Sequence, residues 1–248
     1  MSDRIYTAAV VIIGNEILSG RTQDTNLRDI ATALGVWGIR VTEARVIPDV
    51  EETIVSVVNE VRARHDYVLT TGGIGPTHDD ITAASIAKAF DVELVEHPQI
   101  AAFIRSRKTP PDILASRLRM AMVPSGAGLI DNSTGGPPGF FIGNVHVLAG
   151  VPTVMRAMLA ALQSKLTGGA VLQSRSVIAY LAESTIAEPL RMLQADHPDV
   201  EIGSYPFKTE DRFGTMLVVR GTDEKLLEEV AGKVQALVAT AGGAPVSG

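Results

Sequence analysis

The sequence predicts an α/β fold, a three-layer arrangement around a mostly parallel sheet, followed by a small α+β domain. Three observations carry that prediction. Apolar runs of strand length alternate with stripes of helical period over the first two-thirds of the 248-residue chain, the pattern of a parallel sheet covered by helices on both faces. A glycine-rich turn, Gly72-Gly73-Ile74-Gly75, follows one of those strands and leads into a helix, where open α/β sheets place their ligands. Thr167-Gly168-Gly169 then interrupts the alternation, giving expected domains at 1–168 and 169–248.

Residues 7–13 are a continuous apolar, β-rich run and read as a buried strand. In 22–34, Leu27, Ile30, Ala31 and Leu34 recur at helical spacing, with Gly35 placed as the stop. Val50, Ile54, Val57, Val58 and Val61 form a second stripe of that kind, before a strand at 67–71 and a helix at 81–90. Two helices are expected at 98–107 and 111–121, then a strand over 145–149. Pro152 opens the next helix at a position that needs no N–H, and Val154, Met155, Met158, Leu159 and Leu162 give it a buried face. Beyond the boundary, 171–181 reads as a strand, and Thr185 with Glu188 has capping-box spacing for a helix. Strands at 201–207 and 216–219 and a helix at 223–239 complete the module, with 242–248 a frayed tail. Ile202 to Pro206 reads as a strand ending in a proline turn. No internal repeat is present.

The string Thr70-Thr71-Gly72-Gly73-Ile74-Gly75-Pro76-Thr77-His78-Asp79-Asp80-Ile81-Thr82 concentrates the chemistry. Glycines bring backbone N–H groups and a helix N-terminus close to an anion. Asp79 and Asp80 then stand at the mouth of a phosphate site, a contradiction resolved by a divalent cation between carboxylate and phosphate. The string is neither G-x-G-x-x-G nor a P-loop. Taken alone it also fits an ordinary turn, with Asp80 as a helix N-cap and Thr82 beside it. Asp49 has a similar second reading, as the N-cap of the helix starting near Val50.

Composition narrows the classes. A net charge of −6 and a pI of about 5.4 oppose nucleic acid or an anionic membrane as the main partner. No run approaches the length of a membrane span, and Met1-Ser2-Asp3-Arg4 lacks the pattern of a signal peptide. With no cysteine, disulfides, thiolate nucleophiles and Cys-type zinc sites are excluded, which fits a cytoplasmic protein. His78 lies inside the motif, whereas His65, His97, His146 and His197 are scattered without metal-ligand spacing. Arg105-Ser106-Arg107-Lys108 reads as a solvated helix end with a reach toward phosphates as the alternative.

The motif string, in order with others, resembles the molybdopterin-binding domain shared by MoaB/Mog proteins, the competence/damage-inducible protein A (CinA) family and the N-terminal half of FAD synthase. Gly14-Asn15-Glu16-Ile17-Leu18-Ser19-Gly20 is similar to that family's Gly-Asp-Glu-Leu-x-x-Gly, with Asn15 where CinA proteins usually carry Asp. Val46-Ile47-Pro48-Asp49, Thr134-Gly135-Gly136-Pro137-Pro138-Gly139-Phe140 and Leu148-Ala149-Gly150-Val151-Pro152 are similar to three further signatures. The double Asp at 79–80, the Ile202–Pro206 segment and the appended small domain resemble the CinA/FAD synthase branch.

The resemblance implies a metal-dependent nucleotide pyrophosphatase acting on ADP-ribose or FAD, with catalytic Asp49, Asp80 and Asp79 and a divalent metal, Mg²⁺ first, on Asp49 and Asp80. It implies phosphate and substrate contacts from Gly14, Asn15, Glu16, Thr71, Gly72, Gly73, Gly75, Pro76, Thr77, Thr82, Ser133, Gly135, Gly136 and Gly139. The alternatives are molybdopterin binding with adenylyl transfer, or a non-catalytic ligand-binding module. A homo-oligomer, dimer or trimer, is also implied. A C-terminal deamidase-like domain and an FMN-adenylating domain are expected to be absent from this sequence.

Overall fold

The computed structural model describes residues 4–209 and 212–247, in two compact units that meet between Gly169 and Ala170. The first unit runs β1 (Tyr6–Ile13), α1 (Asn15–Leu18), α2 (Asn26–Val36), β2 (Ile39–Ile47), α3 (Glu51–Arg62), β3 (Tyr67–Thr71), α4 (Thr82–Ala89), β4 (Leu94–Glu96), α5 (Pro98–Arg105) and α6 (Pro111–Leu118). It continues through a 3₁₀ turn at Arg119–Ala121 to β5 (Met122–Pro124), β6 (Gly128–Ile130), β7 (Gly139–Ile142), β8 (Val145–Leu148) and α7 (Pro152–Leu162).

Six strands form one sheet in the order β2-β1-β3-β8-β7-β6. Neighbours from β2 to β8 are parallel, whereas β7 and β6 are added antiparallel. The short β4 and β5 make a separate antiparallel pair. Strand β1 is buried on both faces, which explains its unbroken apolar run: Ala9, Val11 and Ile13 join the core with Ile54, Val58 and Val61 of α3, and Ala8, Val10 and Ile12 join the core with Ile30, Leu34, Met155 and Met158.

Three sequence expectations in this unit change. Helix α2 begins at Asn26 and continues through Gly35, stopping at Trp37 ahead of Gly38, whose φ is +75°; the left-handed residue ends the helix, as glycine does at this position. Strand β2 lies outside the elements expected from sequence: its charges fall at 40, 43 and 45 with no period of two, and Arg45 is bonded to Glu43 and Glu60 at the sheet edge. Asp49 does not cap α3, whose N-cap is Val50 without a side-chain bond.

The chain leaves this unit main chain against main chain. A Cβ on Gly168 would lie 1.6 Å from the Trp37 carbonyl oxygen, and one on Gly169 would lie 2.0 Å from that of Arg4. The Gly169 amide donates to Gly38 (3.0 Å), and the Tyr67 hydroxyl both donates to the Thr167 carbonyl and accepts from the Thr167 amide, each at 3.0 Å.

The second unit contains β9 (Gln173–Ala179), α8 (Glu183–Asp196), β10 (Glu201–Lys208), β11 (Phe213–Gly221), α9 (Glu224–Thr240) and β12 (Val246–Ser247). Its four strands are antiparallel in the order β10-β11-β9-β12. Val177, Ala179, Leu217 and Val219 pack with Ile186 and Leu190 of α8 and with Leu227, Val230 and Val234 of α9. Asp223 caps α9, accepting from the Lys225 and Leu226 amides at 2.9 and 3.1 Å. The capping box proposed for Thr185 and Glu188 is not formed: α8 starts two residues earlier, Thr185 donates its amide to Ala182, and Glu188 pairs with Arg191. Pro206 is not a turn either; β10 runs on to Lys208 as an edge strand, where a missing N–H is tolerated. Within the segment expected to fray, Val246 and Ser247 pair with β9, and Gly248 lies outside the described residues. Among the described residues, no helix is long and apolar enough to cross a membrane.

Candidate functional site

Strand β3 ends at buried Thr71, and the chain then turns through Gly72 (φ +101°) and Gly73 (φ +68°). Both glycines are required by the turn itself. A Cβ on Gly72 would sit 2.1 Å from the Ile13 carbonyl oxygen, and one on Gly73 would sit 2.2 Å from Thr82 Oγ1. Thr82 is fully buried; its hydroxyl donates to Gly72 O (2.9 Å) and its amide to Gly73 O (3.0 Å). The expectation that Thr82 touches ligand is therefore corrected: its hydroxyl staples the turn to α4 from inside the core.

Asp80 is not the cap of α4, which begins after Ile81 without a side-chain cap. Its carboxylate turns back into the loop, accepting from the Gly75 amide (2.7 Å), the Thr77 amide (2.8 Å) and the Thr77 hydroxyl. An internal carboxylate thus occupies two of the amides that a bare glycine loop would offer to phosphate. Asp79 is exposed, and the Thr77 hydroxyl beside it is donated to Asp80.

Asp49 Oδ2 accepts from the Asn15 amide at 2.8 Å. It therefore satisfies the first helical N–H of α1 from across the chain and fixes the turn that carries Glu16. Gly14 is extended there (φ 166°), and the Glu16 carboxylate folds back over it, 2.5 Å from where a Cβ would stand.

These loops border a cleft of about 580 Å³ beyond the carboxyl ends of β1, β3 and β8. Glu16, Gly72, Gly73, Gly75, Asp80 and Gly136 of the expected residues line it. Asp49, Gly14, Asn15, Pro76, Thr77, Asp79, Ser133, Gly135 and Gly139 do not; Thr71 borders a smaller adjoining hollow of about 60 Å³ with Asn26 and Glu16. Gly139 lies buried in β7, where a Cβ would come 2.5 Å from the Val147 carbonyl. Ser133 to Gly136 is a bonded turn, with Asn132 accepting from the Thr134 amide and donating to the Pro137 carbonyl.

The cleft also has a wall that was not anticipated. Arg119, Met120 and Met122 line it from the end of α6, facing Pro138, Phe140 and Met158 among others. No sequence signal distinguished this stretch from a solvated helix end. In the basic run at 105–108, read from sequence as a solvated helix end with a reach toward phosphates as the alternative, Arg105 pairs with Glu96, and Arg107 lies over the Phe103 ring and donates to the Gly135 carbonyl.

Among the described residues, no cluster of three or more His, Asp or Glu side chains has the geometry of a metal site. Mg²⁺ asks for less, since one or two carboxylates together with substrate phosphates complete its coordination. Glu16 and Asp80 are the two carboxylates on the cleft that could supply such ligands. Asp80 has lone-pair capacity left beyond the three bonds it accepts.

Residues 9–167 match the family described as a probable molybdopterin binding domain, and residues 171–242 match the FAD synthase middle domain. A protein of Archaeoglobus fulgidus is 34% identical over 79% of this chain and 84% of its own length. A CinA-like protein of Desulfosudis oleivorans is 32% identical over 91% of this chain, which spans 57% of that longer protein. The crystal structure of the protein CinA from Thermoplasma acidophilum superposes with a TM-score of 0.59 and 33% identity, over 65% of this chain and 99% of that one.

Proposed function

Because this chain belongs to the molybdopterin-binding-domain family, in its CinA-like branch and with a FAD synthase middle domain attached, we propose that it is a metal-dependent nucleotide pyrophosphatase that hydrolyses a diphosphate such as ADP-ribose or FAD. The observation that carries this reading is the convergence of the Gly72–Gly75 loop with two carboxylates, Glu16 and Asp80, on one cleft of about 580 Å³, a volume in the range of small-ligand sites. A divalent ion, when bound, supplies charge neutralisation at the phosphates.

The chain's own residues do the rest. The rigid glycine turn sets where a phosphate rests, and Asp80 keeps that turn in one conformation. Asp49 holds the first turn of α1 so that Glu16 faces the cleft. Glu16 is the lining carboxylate that the loop does not consume, so it takes the proton of the attacking water as the phosphorus–oxygen bridge breaks to give two phosphate monoesters. Asp79 is exposed and does not line the cleft, which leaves Glu16 the better-placed base.

The test is chromatographic hydrolysis of ADP-ribose, FAD and NAD with Mg²⁺, Mn²⁺ or Co²⁺, beside an Asp80→Asn control. Cleavage of one substrate, lost in the variant, is expected. No cleavage with any metal would refute hydrolysis and transfer the weight to the second reading, pterin-phosphate binding with adenylyl transfer, which the family match over 9–167 favours. Assembly as a homo-oligomer belongs to this proposal and is read by light scattering.

A further inference from the structure

We propose that Arg119 is the anion-recognition residue of the cleft, the group that binds the phosphates of a ring-bearing nucleotide ligand; the inference rests on the nucleotide reading above and adds a residue to it. Its starting point is a shortage of positive charge. Of the charged residues lining the cleft, Glu16 and Asp80 are acidic and Arg119 alone is basic. A diphosphate entering a site with two carboxylates needs a counter-charge beyond an ion it brings along.

The loop amides do not fully supply it. Asp80 already occupies the Gly75 and Thr77 N–H groups, and the Gly72 amide donates to Leu148 O at 3.3 Å. Arg105 is committed to Glu96 and Arg107 to Gly135, and Arg117 donates to Thr109. Among the described residues, the Arg119 side chain has no ion pair or hydrogen bond. Its five donors are therefore free for a forked contact with phosphate oxygens.

The backbone beneath it is fixed. Ala121 and Val123 are buried at 0% and 2% exposure, and Met122 pairs with Glu96 across β4 and β5. Met120 and Met122 flank the arginine on the cleft and, with Pro138, Phe140 and Met158, form an apolar wall. Polarisable thioethers and an aromatic edge suit a planar ring. A cation beside such a wall matches a ligand with phosphates at one end and a heterocycle at the other.

Calorimetric titration of Mg²⁺-pyrophosphate, Mg²⁺-ADP and adenosine tests the assignment on wild type, Arg119→Gln, Arg119→Lys and an Arg117→Gln control. Arg119→Gln is expected to weaken pyrophosphate and ADP by ten- to a hundredfold, as for lost charge-assisted bonds. It should leave adenosine unchanged. Arg119→Lys should recover part of the loss, and Arg117→Gln should match wild type. Pyrophosphate binding indifferent to Arg119→Gln, or an equal loss for adenosine, overturns the assignment. Arg119-dependent pyrophosphate binding in a protein that hydrolyses nothing would refute the pyrophosphatase reading and leave this one standing. Hydrolysis and binding that ignore Arg119 would do the reverse.

Discussion

Replacing Asp80 by Asn separates the loop's mechanics from its chemistry. In the native loop one carboxylate oxygen accepts from the Gly75 amide at 2.7 Å, and the other accepts from the Thr77 amide at 2.8 Å and from its hydroxyl. An asparagine keeps one acceptor oxygen and turns an NH₂ donor toward the remaining N–H, so at least one amide loses its partner. A hydrogen bond to a charged acceptor is worth about 1.5–3 kcal/mol. The half-exposed site lets water replace part of that, leaving about 2 kcal/mol of local stability. At 1.4 kcal/mol per factor of ten, opening of the loop becomes about thirtyfold more frequent. Amide hydrogen exchange, read by NMR at Gly75 and Thr77 with Leu69 in β3 as reference, measures this directly. The expected result is exchange about thirtyfold faster at one or both loop amides and unchanged at Leu69. Unchanged exchange at Gly75 and Thr77 together would refute the idea that the carboxylate holds the loop, and with it the account of why those amides are withheld from phosphate.

Gly72→Ala places a Cβ at φ +101° and 2.1 Å from the Ile13 carbonyl; a cost of about 2 kcal/mol or more should lower the melting temperature by about 4–8 °C for a protein of this size, and an unchanged scanning-calorimetry midpoint would show that the end of β1 yields. His146 is buried, stacks on Phe141 and has no partner for Nδ1. Burial lowers its pKa, outweighing the backbone hydrogen bonds at Asn144 and Val68. The unfolded chain therefore binds more protons below about pH 6.5, so the stability His146 contributes is complete above that pH and is lost as pH falls. Urea unfolding should lose up to about 1.4 kcal/mol per pH unit from this group, and His146→Phe should flatten the slope. Asn144→Ala removes the two bonds its side chain donates to the Arg62 and His65 carbonyls, at 3.0 and 2.9 Å; a loss of about 1–3 kcal/mol in urea unfolding is expected.

What was legible in the sequence is what repeats or is locally determined. Strand β1 and helices α3, α7 and α9 show their burial in their own periodicity, because each buries a face fixed by residues a few positions apart. Strands β6 and β7 and the pair β4–β5 are three or four residues long, too short to show a period, and exist because partners far along the chain accept their hydrogen bonds. The same division holds at the cleft. The glycine turn and the carboxylates stood out as residue types in a string, although Asp80's engagement with Gly75 and Thr77 depends on a reversal of the chain that the string does not display. Thr82 looked polar and therefore available, yet tertiary packing buries it. Arg119, Met120 and Met122 reach the cleft only because α6 ends where it does.

The glycine contacts at the end of the first unit bear on how the protein can be dissected. A fragment ended at 168, where the composition changes, would lack Gly169 and so would lose its bond to Gly38 and its packing on Arg4. The last residues of that unit are wedged against the starts of β1 and β2, behaving as a seam and not as a spacer. Residues inserted between Thr167 and Ala170 would have to force apart two main chains already in contact. A separately expressed first unit should therefore keep Gly169, and a protease should find its cutting site elsewhere.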